Sequence, residues 1–106
     1  MEVVNSLKPN ECTDMESIRG EIDLLDRAVI KILGARFKYV LAATKFKTSE
    51  TSVRAPERFT AMLAKRREWA ASEGLNPDAV EKLYTDLVNH FIEEEMARWK
   101  SHQTKV

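Results

Sequence analysis

From Ile18 onward the apolar positions follow one helical seam: Ile18, Ile22, Leu25, Val29 and Ile32, then Arg36, then Tyr39, Ala43 and Phe46. Steps of four and three residues are those of a heptad seam facing a partner helix. Asp14 or Thr13 can cap the start of this helix, with Glu16 in its first turn. The pattern runs to about Lys47, and its one weak point is Gly34, which costs roughly 1 kcal/mol against Ala. A helix of about 33 residues is about 50 Å long. A compact domain of this size has a radius of gyration of only ~13 Å. The rest of the chain cannot cover such a helix, so the pattern predicts intertwining with a second copy.

The polar, β-branched stretch from Thr48 to Arg54 predicts a loop. Ala55-Pro56-Glu57 opens a second helix with Pro56 in its first turn. Its inner stripe is Phe59, Met62, Leu63, Arg66, Trp69 and Ala70, and Gly74 ends it. Asn76-Pro77-Asp78 opens a third, with a stripe from Val80 through Leu87, Phe91, Ile92 and Met96 to Trp99. No repeat or strand-like alternation appears. The prediction is a single all-α domain over residues 1–106, with three helices, one long and two shorter. Its core spans about residues 14–100, between a loose lead-in (1–13) and a polar, frayed tail (101–106).

Composition narrows the function. The chain of 106 residues is 43% hydrophobic and 32% charged, with three Gly and three Pro, which fits a helix-rich globular protein. Lys+Arg and Asp+Glu both number 17, so the basic excess of a generic nucleic-acid binder is missing. One Cys and two His exclude an internal disulfide framework and offer no zinc cluster. His90 and His102 have no triad or metal spacing and read as surface residues, and no Ser-His or Cys-His arrangement stands out. Neither a signal peptide nor a membrane-length apolar run is evident, so the expectation is a cytoplasmic protein without membrane, metal or cofactor.

The candidate chemistry lies in charges placed against these seams. Arg36 occupies a core position, and a guanidinium is rarely buried without an anionic partner. That partner is a protein carboxylate such as Asp26, or a ligand. On one continuous helix, Arg36 and Lys47 differ by about 20° in azimuth and roughly 16 Å in height. They could hold a small dianion between them, although Lys47 also suits a helix C-terminus for its dipole alone. Arg19 lies about 100° away from Arg36 and would need a second subunit to reach the same site; alone, it pairs with Asp23. Arg58 stands in the first turn of the second helix, where the dipole disfavours a cation; Glu57 can offset that locally, and a bound anion would offset it better. Glu95 projects from the apolar stripe of the third helix. A carboxyl there tends to be neutral and can donate a hydrogen bond, unless a salt bridge to Arg36 or Arg98 holds it.

Several segments resemble the all-helical chorismate mutase family, and within it the isochorismate pyruvate lyase branch. They are Cys12-Thr13, Ile18-Arg19, Glu21-Ile22-Asp23, Leu33-Gly34-Ala35-Arg36, Tyr39-Val40, Lys45-Phe46-Lys47 with Ser49-Glu50, Ala55-Pro56-Glu57-Arg58, Met62-Leu63, Arg67, Trp69-Ala70, Gly74-Leu75 and Trp99. The likeness covers about residues 11–100. The Ala-Pro-Glu-Arg and Trp-Ala…Gly-Leu stretches point to the lyase branch. The resemblance implies an intertwined homodimer in which Arg36 and Lys47 of one chain meet Arg19 of the other. It also implies a covering loop before the second helix with Arg58 at its edge, and a pocket lined by Val40, Met62 and Ile92. Lyases of this branch carry a Gln where this chain has Glu95, and that side chain donates to the ether oxygen of the breaking bond; some mutases carry a Glu there. Mutases often have a Glu where this chain has Phe59.

What the resemblance implies for function is elimination of pyruvate from isochorismate, a small dicarboxylate, to leave salicylate, with weak chorismate mutase activity beside it. Salicylate of this origin commonly feeds siderophore synthesis. The alternatives are a chorismate mutase, which converts chorismate to prephenate, and a non-catalytic helical dimerisation module.

Overall fold

The computed structural model describes residues 5–104, with side chains described as far as Ser101. Among these residues there is no strand, and helices account for nearly the whole chain. They are α1 (Met15–Ala43), α2 (Glu50–Arg54), α3 (Pro56–Ser72) and α4 (Pro77–Thr104), with short 3-10 turns at Pro9–Glu11 and Thr44–Phe46. The all-helical architecture with three principal helices agrees with the sequence reading. The last of them is 28 residues against 29 for α1, so α4 is not a shorter helix. It runs into the stretch expected to fray; His102 lies outside the described side chains.

The helix ends follow from local chemistry. Asp14 caps α1 by accepting from the Ser17 backbone N–H and hydroxyl, both at 2.7 Å. These bonds hold the Asp14 carboxyl below its ordinary pKa. Asn76 caps α4 through the N–H groups of Asp78 and Ala79. At the end of α3, Gly74 takes φ 76°, and the Leu75 N–H returns to the Ala70 carbonyl at 2.8 Å. That left-handed closure is the one a glycine allows without strain.

Two compact units are distinguished, one up to Tyr39 and one from Val40. In the first, the lead-in is anchored on α1. The Glu21 carboxylate accepts from the Asn5 amide at 3.0 Å and from the N–H groups of Ser6 and Leu7 at 3.0 and 2.8 Å. These donors, Asn5 foremost, hold the Glu21 carboxyl below its ordinary pKa. The apolar seam of α1 is left open: Ile22 is 49% exposed and Val29 52%.

In the second unit α3 packs along α4, and α2 and the Thr44–Phe46 turn pack against α4 as well. The core holds Val53, Met62, Ala70, Val88 and Met96, with Glu95 among the buried residues. Arg67 ties α3 to the start of α4, donating to Asp78 at 2.7 Å and to Glu81 at 3.4 Å. The Arg66 guanidinium lies over the rings of Trp69 and Tyr84.

The segment read as a loop contains α2. Ser49 caps it, accepting from the Ser52 N–H at 3.1 Å, while the Ser52 hydroxyl accepts from the Ser49 N–H at 3.0 Å. This is a capping box built from two serines. Ala55 then takes φ 41°, ψ 61° to turn the chain into α3, a left-handed conformation that disfavours any residue with a Cβ.

Candidate active site

Lys47 is placed by the way α1 ends. After Ala43 the helix tightens into a 3-10 turn, with the Thr44 hydroxyl donating to the Leu41 carbonyl at 2.6 Å. Lys47 follows in extended conformation, φ −91° and ψ 131°. The helical reckoning that set Arg36 and Lys47 on one face therefore does not reach Lys47. Thr44 begins to leave the α-helix through its own side chain, and no Gly or Pro marks the place.

Lys47 is half-buried and held at three points. Its N–H donates to the Thr44 carbonyl at 3.1 Å. Its carbonyl accepts from the Trp99 indole N–H at 3.0 Å. Its ammonium donates to the Ser52 carbonyl at 2.9 Å. Ser52 lies in the short α2, whose last carbonyls have no helical partner, so the ammonium satisfies one that would otherwise go unmet.

Glu95 lies on α4, one turn before Trp99. It is 5% exposed, and its Oε1 has no hydrogen-bond partner. Burial pushes the Glu95 carboxyl above its ordinary pKa, and the positive charge of Lys47 partly offsets the shift. A positive donor and a carboxyl biased toward its protonated form thus sit within electrostatic reach of one another. Both can donate a hydrogen bond, and neither is a covalent nucleophile at hand. Such a pair can polarise an oxygen that gains negative charge.

The remaining predicted residues are distributed as follows. Met62 is buried in the core, on α3, and Val40 and Ile92 are half-buried. Arg58 is exposed in the first turn of α3. Arg19 and Arg36 belong to the first unit, both on α1, the former exposed and the latter half-buried. Among the described residues no group of His, Cys, Asp and Glu could hold a metal ion. No helix among them is long and apolar enough to cross a membrane. His90 is a surface residue within 2.6 Å of Glu94.

The sequence reading missed the two groups that hold Lys47 from a distance. The Ser52 carbonyl is backbone and leaves no side-chain signal. Trp99 did leave one: an indole N–H within an apolar stripe calls for an acceptor.

Residues 18–96 match the family described as chorismate mutase type II. Over 92 residues, 87% of this chain and 91% of the other, the sequence is 40% identical to the isochorismate pyruvate lyase of Pseudomonas aeruginosa. It is 34% identical over 84 residues to the T-protein of Haemophilus influenzae, covering 78% of this chain but 21% of that longer one. With the T-protein of Enterobacter agglomerans it shares 32% identity over 69 residues, 18% of that protein. By a match that spans most of its length, and by its all-helical architecture, the chain belongs to the chorismate mutase type II family.

Proposed function

We propose that the protein is an isochorismate pyruvate lyase, releasing pyruvate from isochorismate and leaving salicylate. The observation that carries this reading is the 40% identity to a lyase of that name over nearly the whole of both chains. The placement of Lys47 within electrostatic reach of a buried carboxyl supports it. In the reaction the ether C–O bond breaks while a ring hydrogen passes to the enolpyruvyl methylene carbon. That carbon becomes the methyl group of pyruvate, and the ring becomes aromatic. Atoms and electrons balance within the substrate, so the protein's work is to hold and to polarise.

Lys47 faces the ether oxygen as negative charge grows on it, and protonated Glu95 donates a second hydrogen bond there. Arg36 and Arg19 pin the two carboxylates through paired hydrogen bonds. Holding the compact reactive conformer can lower the barrier by up to roughly 7–11 kcal/mol in well-oriented systems. Val40, Met62 and Ile92 line the pocket, α2 covers it, and Arg58 lies at its edge.

Arg19 comes from a second copy. The open seam of α1 supports a homodimer, since Ile18, Ile22, Leu25, Val29 and Ile32 all stay more than a third exposed on the single chain. Fully burying such a side chain is worth about 1.5–3 kcal/mol. A cytoplasmic location fits the single, unpaired Cys12.

Purified protein given isochorismate and chorismate in separate reactions decides the activity. Salicylate fluorescence from isochorismate alone supports the lyase. Prephenate from chorismate without salicylate from isochorismate gives the second reading, a chorismate mutase, which the family match and Glu95 favour. Sedimentation analysis of the same sample tests the dimer.

A further inference from the structure

We propose that Trp99 is a positioning residue for Lys47, setting the direction from which its ammonium meets the substrate. The inference rests on the reading of Lys47 as the group that polarises the ether oxygen. Lys47 lies outside any α-helix, in the extended link between the Thr44–Phe46 turn and α2. No regular ladder of backbone bonds fixes its peptide planes. The plane before it is held by the bond from its N–H to Thr44. The plane after it is held by the Trp99 indole, 52 positions further along the chain.

The indole is suited to this task. It has one N–H and no acceptor, so it can bond the carbonyl in only one sense. It is partly buried, so losing its acceptor is costly. Trp99 also follows Glu95 by four residues, which puts both on one face of α4. A single helix face therefore carries the carboxyl that feels the Lys47 charge and the donor that holds the Lys47 backbone. The next residue, Lys100, pairs with Glu50 at the start of α2 at 3.1 Å. That exposed pair adds little by itself, yet it ties α2 to the same end of α4.

A lysine side chain has four rotatable bonds and no rigidity of its own. Reacting groups must be held within about 10–20° of their working direction. Releasing the carbonyl frees the peptide plane from which the side chain springs. The ring of Trp99 also fills space, and a purely packing role would leave Lys47 indifferent to the indole nitrogen.

Trp99→Phe keeps a ring and removes the N–H. In the full-length protein, with isochorismate as substrate, kcat is expected to fall about 10–100-fold, in line with a displacement of up to 1 Å. KM is expected to stay within about twofold of wild type. In a Lys47→Ala background the same substitution should cost nothing further, because the group it positions is gone. A full wild-type kcat in Trp99→Phe, or an equal loss in both backgrounds, overturns the proposal.

Exchange of the two indole protons in the wild-type protein needs no folded variant. Slower exchange at Trp99 than at Trp69, which is 51% exposed, supports the bond, and equal rates overturn it. The lyase reading is judged separately, on salicylate formed by wild type and lost in Lys47→Ala. If Lys47→Ala keeps full turnover, Lys47 has no role and that of Trp99 falls with it.

Discussion

Replacing Glu95 by Gln tests the chemistry of the site through two independent properties, stability and rate. Glu95 is almost fully buried, its Oε1 has no hydrogen-bond partner, and burial raises its pKa against the partial opposition of Lys47. The folded protein therefore keeps the proton over a pH interval in which the unfolded chain has already lost it. In that interval the folded state binds more protons, so stability falls as pH rises from the ordinary carboxylate pKa to the folded one. Below the interval both states are protonated and Glu95 contributes no slope. Each tenfold gain in proton affinity is worth about 1.4 kcal/mol. Gln has nearly the same shape and no charge. It leaves an unpaired acceptor much as Glu95 does, so that cost, about 1–3 kcal/mol for a buried group, largely cancels between the two proteins.

Urea unfolding at fixed protein concentration, from pH 4 to pH 8, should show Glu95→Gln gaining on wild type as pH rises. Turnover should follow the same titration. Wild-type kcat falls about tenfold per pH unit once the donor proton is being lost. The fall levels off at a total of about 10²–10³, the usual cost of one such donor. Glu95→Gln keeps an N–H donor throughout and should give a flat profile. Parallel stability curves, together with identical pH–rate profiles for the two proteins, would refute the protonated-donor reasoning.

Lys47→Ala should lower turnover about 10²–10³-fold, whereas Lys65→Ala, which removes an exposed partner of Glu68, should leave it near wild type; steady-state salicylate assays compare them, and equal effects exclude Lys47 from the mechanism. Mixed dimers of inactive Arg19→Ala and inactive Lys47→Ala chains should regain activity if sites are shared between copies, and no regain in verified mixed dimers counts against the sharing. Ala55 holds φ 41°, which costs a residue with a Cβ about 1–2 kcal/mol. Ala55→Gly relieves that strain but adds about 0.4–1 kcal/mol of chain entropy to the unfolded state. Thermal melting should therefore find Ala55→Gly neutral to slightly stabilised and Ala55→Val clearly destabilised.

Where the fold was legible in the sequence, short-range chemistry was responsible. Asp14, Asn76 and Gly74 act within one turn of their own positions, so composition alone locates the helix ends they govern. The short α2 escaped because its capping box uses Ser52 where Glu or Gln is the usual signal. The exit of Lys47 from α1 escaped for a similar reason: a threonine bonding back to Leu41 leaves a periodic pattern looking unbroken. The anchoring of the lead-in by Glu21 depends on backbone donors 14 and 15 residues away, which no local pattern records. For the proposed site, Lys47 and Glu95 could be nominated as charges lying against the apolar seams. The supports of Lys47 could not, since a backbone carbonyl such as that of Ser52 leaves no side-chain signal and the indole bond spans 52 positions.

That division bears on how Lys47 can act. Its ammonium has three hydrogens, and the Ser52 carbonyl takes one of them. A substrate oxygen can therefore be met without breaking the bond that aims the side chain. Were the same lysine on a regular helix end, solvent and the last carbonyls would compete for it and its direction would be set by rotamer preference alone. Leaving the helix exchanges a weak dipole interaction for defined contacts with α2 and α4. This is the condition under which a charged donor is organised before the reaction begins rather than during it.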